Sequence, residues 1–170
     1  MVVLPGGWGL WVFIVGAVVG SFLNVCIYRL PLGNSVVRPA SHCPHCRTPL
    51  YWYHNIPLLS FVFLRGRCAF CHAPLSWRYP LVELTNALLY LAVFALLGWQ
   101  PATLVYGLFV SSLLVVSLID LDHQIIPDRI SLPGILAGLL ASFAIPWLSW
   151  QASLVGILLG GGSLYLVAAG

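Results

Sequence analysis

The stretch ATLVYGLFVSSLLVVSLI, residues 102–119, carries no charge and no proline, and it runs directly into Asp120-Leu121-Asp122. Its length is close to the roughly 20 apolar residues that carry a helix across a bilayer. Four further apolar stretches of about this length lie at 8–27, 81–98, 131–148 and 152–169, and the only charge within any of the five is Glu83. The chain of 170 residues is 61% hydrophobic and 6% charged, whereas a soluble domain is about a quarter charged. There is too little polar surface to face water all round, so the solvent for most of the chain is lipid. The fold class expected is an all-α polytopic membrane protein of about five transmembrane helices.

The first run is read as a permanent helix. No Lys or Arg precedes it, and it reaches Arg29 without a small-residue cleavage site, which a secretory signal would carry. Gly16 and Gly20 within it have the GxxxG spacing that lets helix backbones approach closely. Asn24 in the same run needs a partner inside the membrane, and Cys26 reads as a small buried side chain.

Six of the seven arginines, Arg29, Arg38, Arg47, Arg65, Arg67 and Arg78, fall in residues 29–80, a segment with no acidic residue. Basic loops are retained in the cytoplasm. The amino terminus is therefore expected outside, with 29–80 in the cytoplasm, 98–101 as an external turn and 120–130 back at the cytoplasmic face. Anionic lipid head groups account for much of this charge. No nucleic acid is expected as a partner, because the arginines form no recognisable binding motif. Three regions follow: a first transmembrane helix at 1–28, a loop at 29–80, and a helical membrane region at 81–170 that holds an aspartate motif at 120–128.

The loop contains two CxxC pairs, Cys43-Pro44-His45-Cys46 and Cys68-Ala69-Phe70-Cys71. Four thiolates at this spacing close a tetrahedral zinc site of the ribbon type. Zinc binding would supply folding energy to a loop whose apolar residues are concentrated in 56–64, a stretch expected to lie against the membrane. The CPHC stretch alone also fits a thiol oxidoreductase, a reading that leaves the second pair without a purpose. The nearby His42, His45, His54 and His72 are read as surface or hydrogen-bonding residues, since four cysteines already satisfy zinc.

Three of the four carboxylates, Asp120, Asp122 and Asp128, cluster at the end of the third run. Ionisable groups at a membrane boundary are candidates for function. They fit an Mg²⁺ site of a lipid-phosphate enzyme, a plain helix border with pairing to Arg129, or aspartic proteolysis, in which two carboxylates share a proton and activate a water. In a continuous helix Asp120 and Asp122 point about 200° apart, so a second catalytic carboxylate is expected from another helix.

These residues resemble the prepilin peptidases, the type IV leader peptidases of bacterial pilus and type II secretion systems. The matching stretches occur in the family's order: Gly20-Ser21-Phe22-Leu23-Asn24-Val25 with Tyr28-Arg29-Leu30-Pro31, the first CxxC, Asn55-Ile56-Pro57, Arg65-Gly66-Arg67-Cys68 with Cys71, Ser76 to Glu83, and Asp120-Leu121-Asp122 leading to Ile126-Pro127-Asp128. Together they cover residues 16–135.

The resemblance implies a multi-pass enzyme of the bacterial inner membrane that cleaves the basic leaders of prepilins and pseudopilins. It also implies N-methylation of the new amino terminus with S-adenosylmethionine as donor. By resemblance Asp120 is the first catalytic aspartate, Asp122 and Asp128 are supporting residues, and Gly66 belongs to the methyl-transfer region. Cys43, Cys46, Cys68 and Cys71 are the expected metal ligands.

The family's second aspartate sits in a Gly-x-Gly-Asp motif after a later helix. This sequence has no acid after Asp128, and Gly160-Gly161-Gly162 is not followed by one. The motif is expected shortly beyond Gly170, which would make the chain the amino-terminal part of a longer enzyme or a truncated relative. Glu83 is the remaining carboxylate on another helix and is expected to pair with an arginine. A non-catalytic zinc-binding membrane component of a pilus or secretion assembly is the alternative of a different class, with a membrane thiol-redox protein as a third.

Overall fold

The computed structural model describes residues 7–169, except the side chains of 164, 165 and 167–169. Among the described residues six α-helices follow in order: α1 Trp8–Arg29, α2 Leu59–Phe63, α3 Arg78–Leu97, α4 Pro101–His123, α5 Asp128–Ala144 and α6 Trp150–Ala169, with a 3₁₀ turn at Trp52–Asn55 before α2. Every long apolar run thus falls on a helix. Among the described residues α1, α3 and α4 are long and apolar enough to cross a membrane. α5 has 17 residues and an internal Pro133, which gives it about 25 Å of rise against a hydrocarbon core of about 30 Å. The chain is a multi-pass membrane protein.

The tightest contact in the bundle is between α1 and α3, and glycine makes it possible. A Cβ on Gly16 would lie 2.8 Å from the Ala87 Cα, and one on Gly20 would lie 2.8 Å from the Glu83 Cα. Without side chains at these two positions the backbones approach to a distance at which dispersion and interhelical hydrogen bonds become effective. Asn86, fully buried, donates to the Gly16 carbonyl at 2.7 Å and accepts from the Ser111 hydroxyl at 2.9 Å, so one amide links α1, α3 and α4. Below it Leu23, Cys26, Ile27, Val82, Val115 and Ile119 form the apolar core. Asn24 finds the partner its position demands by donating to the Tyr79 carbonyl at 3.1 Å.

α4 begins with a proline in its first turn and ends on Gln124, whose left-handed backbone closes the helix with an N–H to the Asp120 carbonyl at 2.8 Å. α5 and α6 pack on each other more loosely, leaving Leu136, Leu140, Phe143, Leu158 and Leu159 exposed. Exposed apolar side chains on such helices face lipid or further helices rather than water.

Candidate functional site

The four cysteines converge. Their sulfurs all lie within 4.8 Å of one another, with Cys43 Sγ and Cys71 Sγ 3.8 Å apart. A tetrahedron of sulfurs about 2.3 Å from a central zinc has edges of about 3.8 Å, so the donor set fits a four-thiolate metal ion in kind, number and size. All four are free thiols rather than disulfides.

The convergence is built by two copies of one turn. In the first, the Cys43 N–H meets the Thr48 carbonyl at 3.0 Å, the Arg47 N–H meets the Cys43 carbonyl at 2.9 Å, and the Leu50 N–H meets the Ser41 carbonyl at 2.8 Å. In the second, Cys68 pairs with Ala73 at 2.9 Å, His72 with Cys68 at 3.1 Å, and Leu75 with Gly66 at 2.8 Å. Arg47 and His72 both take φ 57° at the matching position. Residues 41–50 and 66–75 are therefore a structural repeat, with Cys-x-x-Cys-x-x-Pro-Leu common to both. The repeat is legible as self-similarity in the sequence.

These turns also prepare the sulfurs. Hydrogen bonds from the Thr48 side chain and amide draw the Cys46 thiol down to about 6. The amides of Cys71 and Phe70 lower Cys68. At Cys71 the Ala73 amide lowers the pKa, but desolvation and the three neighbouring sulfurs push it up to about 11. Four crowded thiols cannot all ionise unless a cation sits among them, which is the electrostatic condition of a metal site. The CPHC stretch lies in a turn, not at the start of a helix, so the helix terminus that activates an oxidoreductase thiol is missing.

His54 is neither a ligand nor a surface residue. It packs between Tyr53 at 4.4 Å and Phe70 at 5.3 Å between ring centroids, with its Nδ1 buried and unpartnered. Through Phe70 it joins the 3₁₀ turn to the second cysteine turn. Gly66 has a conformational reason to be glycine: its φ is +66°, and a Cβ there would meet Phe61 at 3.1 Å.

The acids lie at the same end of the bundle as the cysteine loop. Asp122 pairs with Arg78 at 2.5 Å, which fastens the end of α4 to the start of α3. Arg78 also donates to the Leu118 carbonyl at 3.4 Å. The expected partner for this cluster, Arg129, is not the one used. Asp120 is exposed on the last turn of α4 and Asp128 opens α5.

Glu83 departs from expectation as well. No arginine reaches it; its Oε2 accepts the Leu58 N–H at 2.8 Å, and the residue is buried at 8% exposure. Backbone amides near a helix start are natural carboxylate partners, and the loop folds back far enough to supply one. Beside Glu83 a cavity of about 590 Å³ opens between α1, α3 and the cysteine turns, lined among others by Asn24, Tyr79, His54, Cys43 and Leu64. Its size is within the 300–1,000 Å³ range of small-molecule sites.

Two family models match the chain. Residues 14–97 match the bacterial peptidase A24 N-terminal domain, and residues 107–170 match the type IV leader peptidase family. A prepilin leader peptidase/N-methyltransferase of Myxococcus xanthus is 45% identical over 92% of this chain, which spans 48% of that relative. Those of Klebsiella pneumoniae and Dickeya chrysanthemi are 43% and 38% identical over 96% of this chain, which spans 74% and 66% of them respectively. No solved structure matches the chain. The order of the helices, the four-cysteine loop and these relatives agree, and the chain belongs to the type IV leader peptidase family of membrane enzymes.

Proposed function

We propose that this chain carries machinery of an aspartic prepilin leader peptidase and N-methyltransferase of the bacterial inner membrane, with its amino terminus outside and the cysteine loop in the cytoplasm. The observation that carries the reading is the position of Asp120. It stands at the last turn of a membrane-length helix, at the same end of the bundle as the loop that holds every arginine but Arg129. A basic leader is retained on the cytoplasmic side by the rule that retains a basic loop, so its scissile bond comes to rest at the boundary where Asp120 sits.

Asp120 serves in this reading as one carboxylate of a water-activating pair. Asp122 is a supporting residue, because its charge is committed to Arg78 and so locks the end of α4 in place. Asp128 opens α5 and shapes the return of the chain. Glu83 is not assigned as the second catalytic carboxylate, since its Oε2 accepts the Leu58 N–H. The substrates are prepilins and pseudopilins, whose apolar segments remain in membrane lipid beside the helices.

Cys43, Cys46, Cys68 and Cys71 hold zinc in a closed four-sulfur site, which serves structure rather than catalysis because no coordination position stays open. S-adenosylmethionine, when bound, supplies the methyl group for the new amino terminus. The cavity beside Glu83 is the site this reading assigns to it, with Asn24 and Tyr79 as polar contacts, and Gly66 shapes the adjoining turn. Equilibrium binding of labelled S-adenosylmethionine tests that site independently of cleavage.

The peptidase assignment is tested with the native gene product, a cognate prepilin and an Asp120→Ala variant. Loss of a general acid or base costs about a hundredfold or more. Cleavage by the variant at the native rate overturns the role of Asp120.

A further inference from the structure

The short helix α2 is hard to explain as part of a water-soluble loop. Its outward side chains are apolar and among the most exposed in the molecule: Val62 at 71%, Phe63 at 80% and, just before α3, Trp77 at 71%. Nothing in a loop surrounded by water would keep such a row uncovered. The position of α2 along the bundle supplies the explanation. The Glu83 carboxylate holds the Leu58 N–H, and Glu83 lies five residues into α3, which is about 7.5 Å along the helix axis from Arg78. Phe61 then packs on Trp77 with ring centroids 4.8 Å apart. α2 therefore starts level with the second turn of a membrane-spanning helix and climbs alongside its first turn.

We propose that residues 56–64 with Trp77 form an in-plane anchor seated in the bilayer leaflet on the loop's own side, and that Glu83 sets its depth by holding the Leu58 amide. Leu58 keeps φ 62° with ψ −48°, a conformation that leucine rarely adopts; the Leu59 N–H to the Pro57 carbonyl at 2.6 Å closes this turn, and the bond to the buried Glu83 carboxylate ties it to α3. The bilayer is the occupant rather than a partner protein for two reasons. Phe61 of α2 packs on Trp77, and Leu81 and Leu88, which follow Trp77 at helical spacing, are exposed as well. Arg65 and Arg67 follow α2 directly in a segment without acids, which suits an anionic head-group layer. The inference needs α1 and α3 to span the membrane and is independent of the peptidase reading.

The test uses the full gene product in liposomes containing phosphatidylglycerol, with a fluorescent non-canonical amino acid at position 63 in one sample and at the exposed position 45 in another. Lipids carrying a shallow nitroxide should quench the probe at 63 several-fold more than aqueous iodide does, and the order should reverse at 45. Glu83→Ala should shift the probe at 63 toward iodide, while Glu83→Gln, whose amide oxygen still accepts the Leu58 N–H, should not. Glu83→Asp should give an intermediate shift and serves where Glu83→Ala does not accumulate. Equal iodide access at 63 and 45 overturns the anchor, and so does protection of 63 from both quenchers, which would mean a protein covers it. Unchanged quenching at 63 in Glu83→Ala, or in Glu83→Asp where that variant stands in for it, overturns the role of Glu83.

Discussion

The cysteine loop and the aspartate end of α4 sit at the same end of the bundle, yet they are built in opposite ways. The loop is closed: two copies of one turn bring four sulfurs within 4.8 Å, each turn fixed by the same three backbone hydrogen bonds. The aspartate end is open. Asp120, Asp122 and Asp128 are exposed, and an ion pair to Arg78 anchors Asp122. A metal site can be encoded locally, by spacing and turn chemistry. A catalytic pair at a membrane boundary draws its members from different helices, so its geometry depends on how distant segments pack.

The largest effect that would sharpen this contrast is loss of a sulfur. Structural zinc sites are worth about 10 kcal/mol or more to small modules, so Cys68→Ser should reduce bound zinc from one per chain to near zero. Proteolysis should then cut within 29–80 while α1 and α3 stay intact. Zinc retained at full stoichiometry would break the closed-site account.

Next come changes to the α1–α3 contact that positions both regions. Gly20→Val places a Cβ 2.8 Å from the Glu83 Cα, and overpacking of this kind costs about 1–3 kcal/mol, read as a lowered thermal midpoint in detergent. Asn86→Leu removes the hydrogen bonds to Gly16 and Ser111. Buried interhelical hydrogen bonds in membranes are worth about 0.6–2 kcal/mol, so a smaller drop in the same midpoint is expected.

The smallest effect concerns the ion pair that fastens the aspartate end. Arg78 and Asp122 are both partly exposed, and such pairs contribute at most about 1 kcal/mol. Arg78→Ala should leave the melting temperature nearly unchanged but increase amide exchange in the last turn of α4. Arg129→Ala should do neither.

Much of this was legible in the sequence, for identifiable reasons. Apolar runs interrupted by Pro and Gly marked the long helices, because lipid leaves the backbone no alternative to internal hydrogen bonding. The CxxC spacing marked the four-cysteine cluster, because each pair needs only its own turn. What was not legible depends on long-range folding. An arginine is the partner expected for Glu83, but the chain returns at Leu58 with a positive-φ residue that no local signal announces. Asp122 takes Arg78, distant in sequence, over the nearby Arg129. The repeat relating 41–50 to 66–75 was visible in principle, since both segments share cysteine, proline and leucine in register. His54 carried no signal, because its role arises from aromatic neighbours assembled by the fold.

The most direct test of the central claim compares Asp120→Asn with Asp122→Asn in the native gene product, both in lipid with a cognate prepilin, measuring kcat for leader removal. Both changes remove one charge at the same boundary. The account predicts a loss of about a hundredfold or more for Asp120→Asn and retention of most activity for Asp122→Asn, with zinc content unchanged in both. Equal rates in Asp120→Asn and the native protein, or a loss confined to Asp122→Asn, would contradict it.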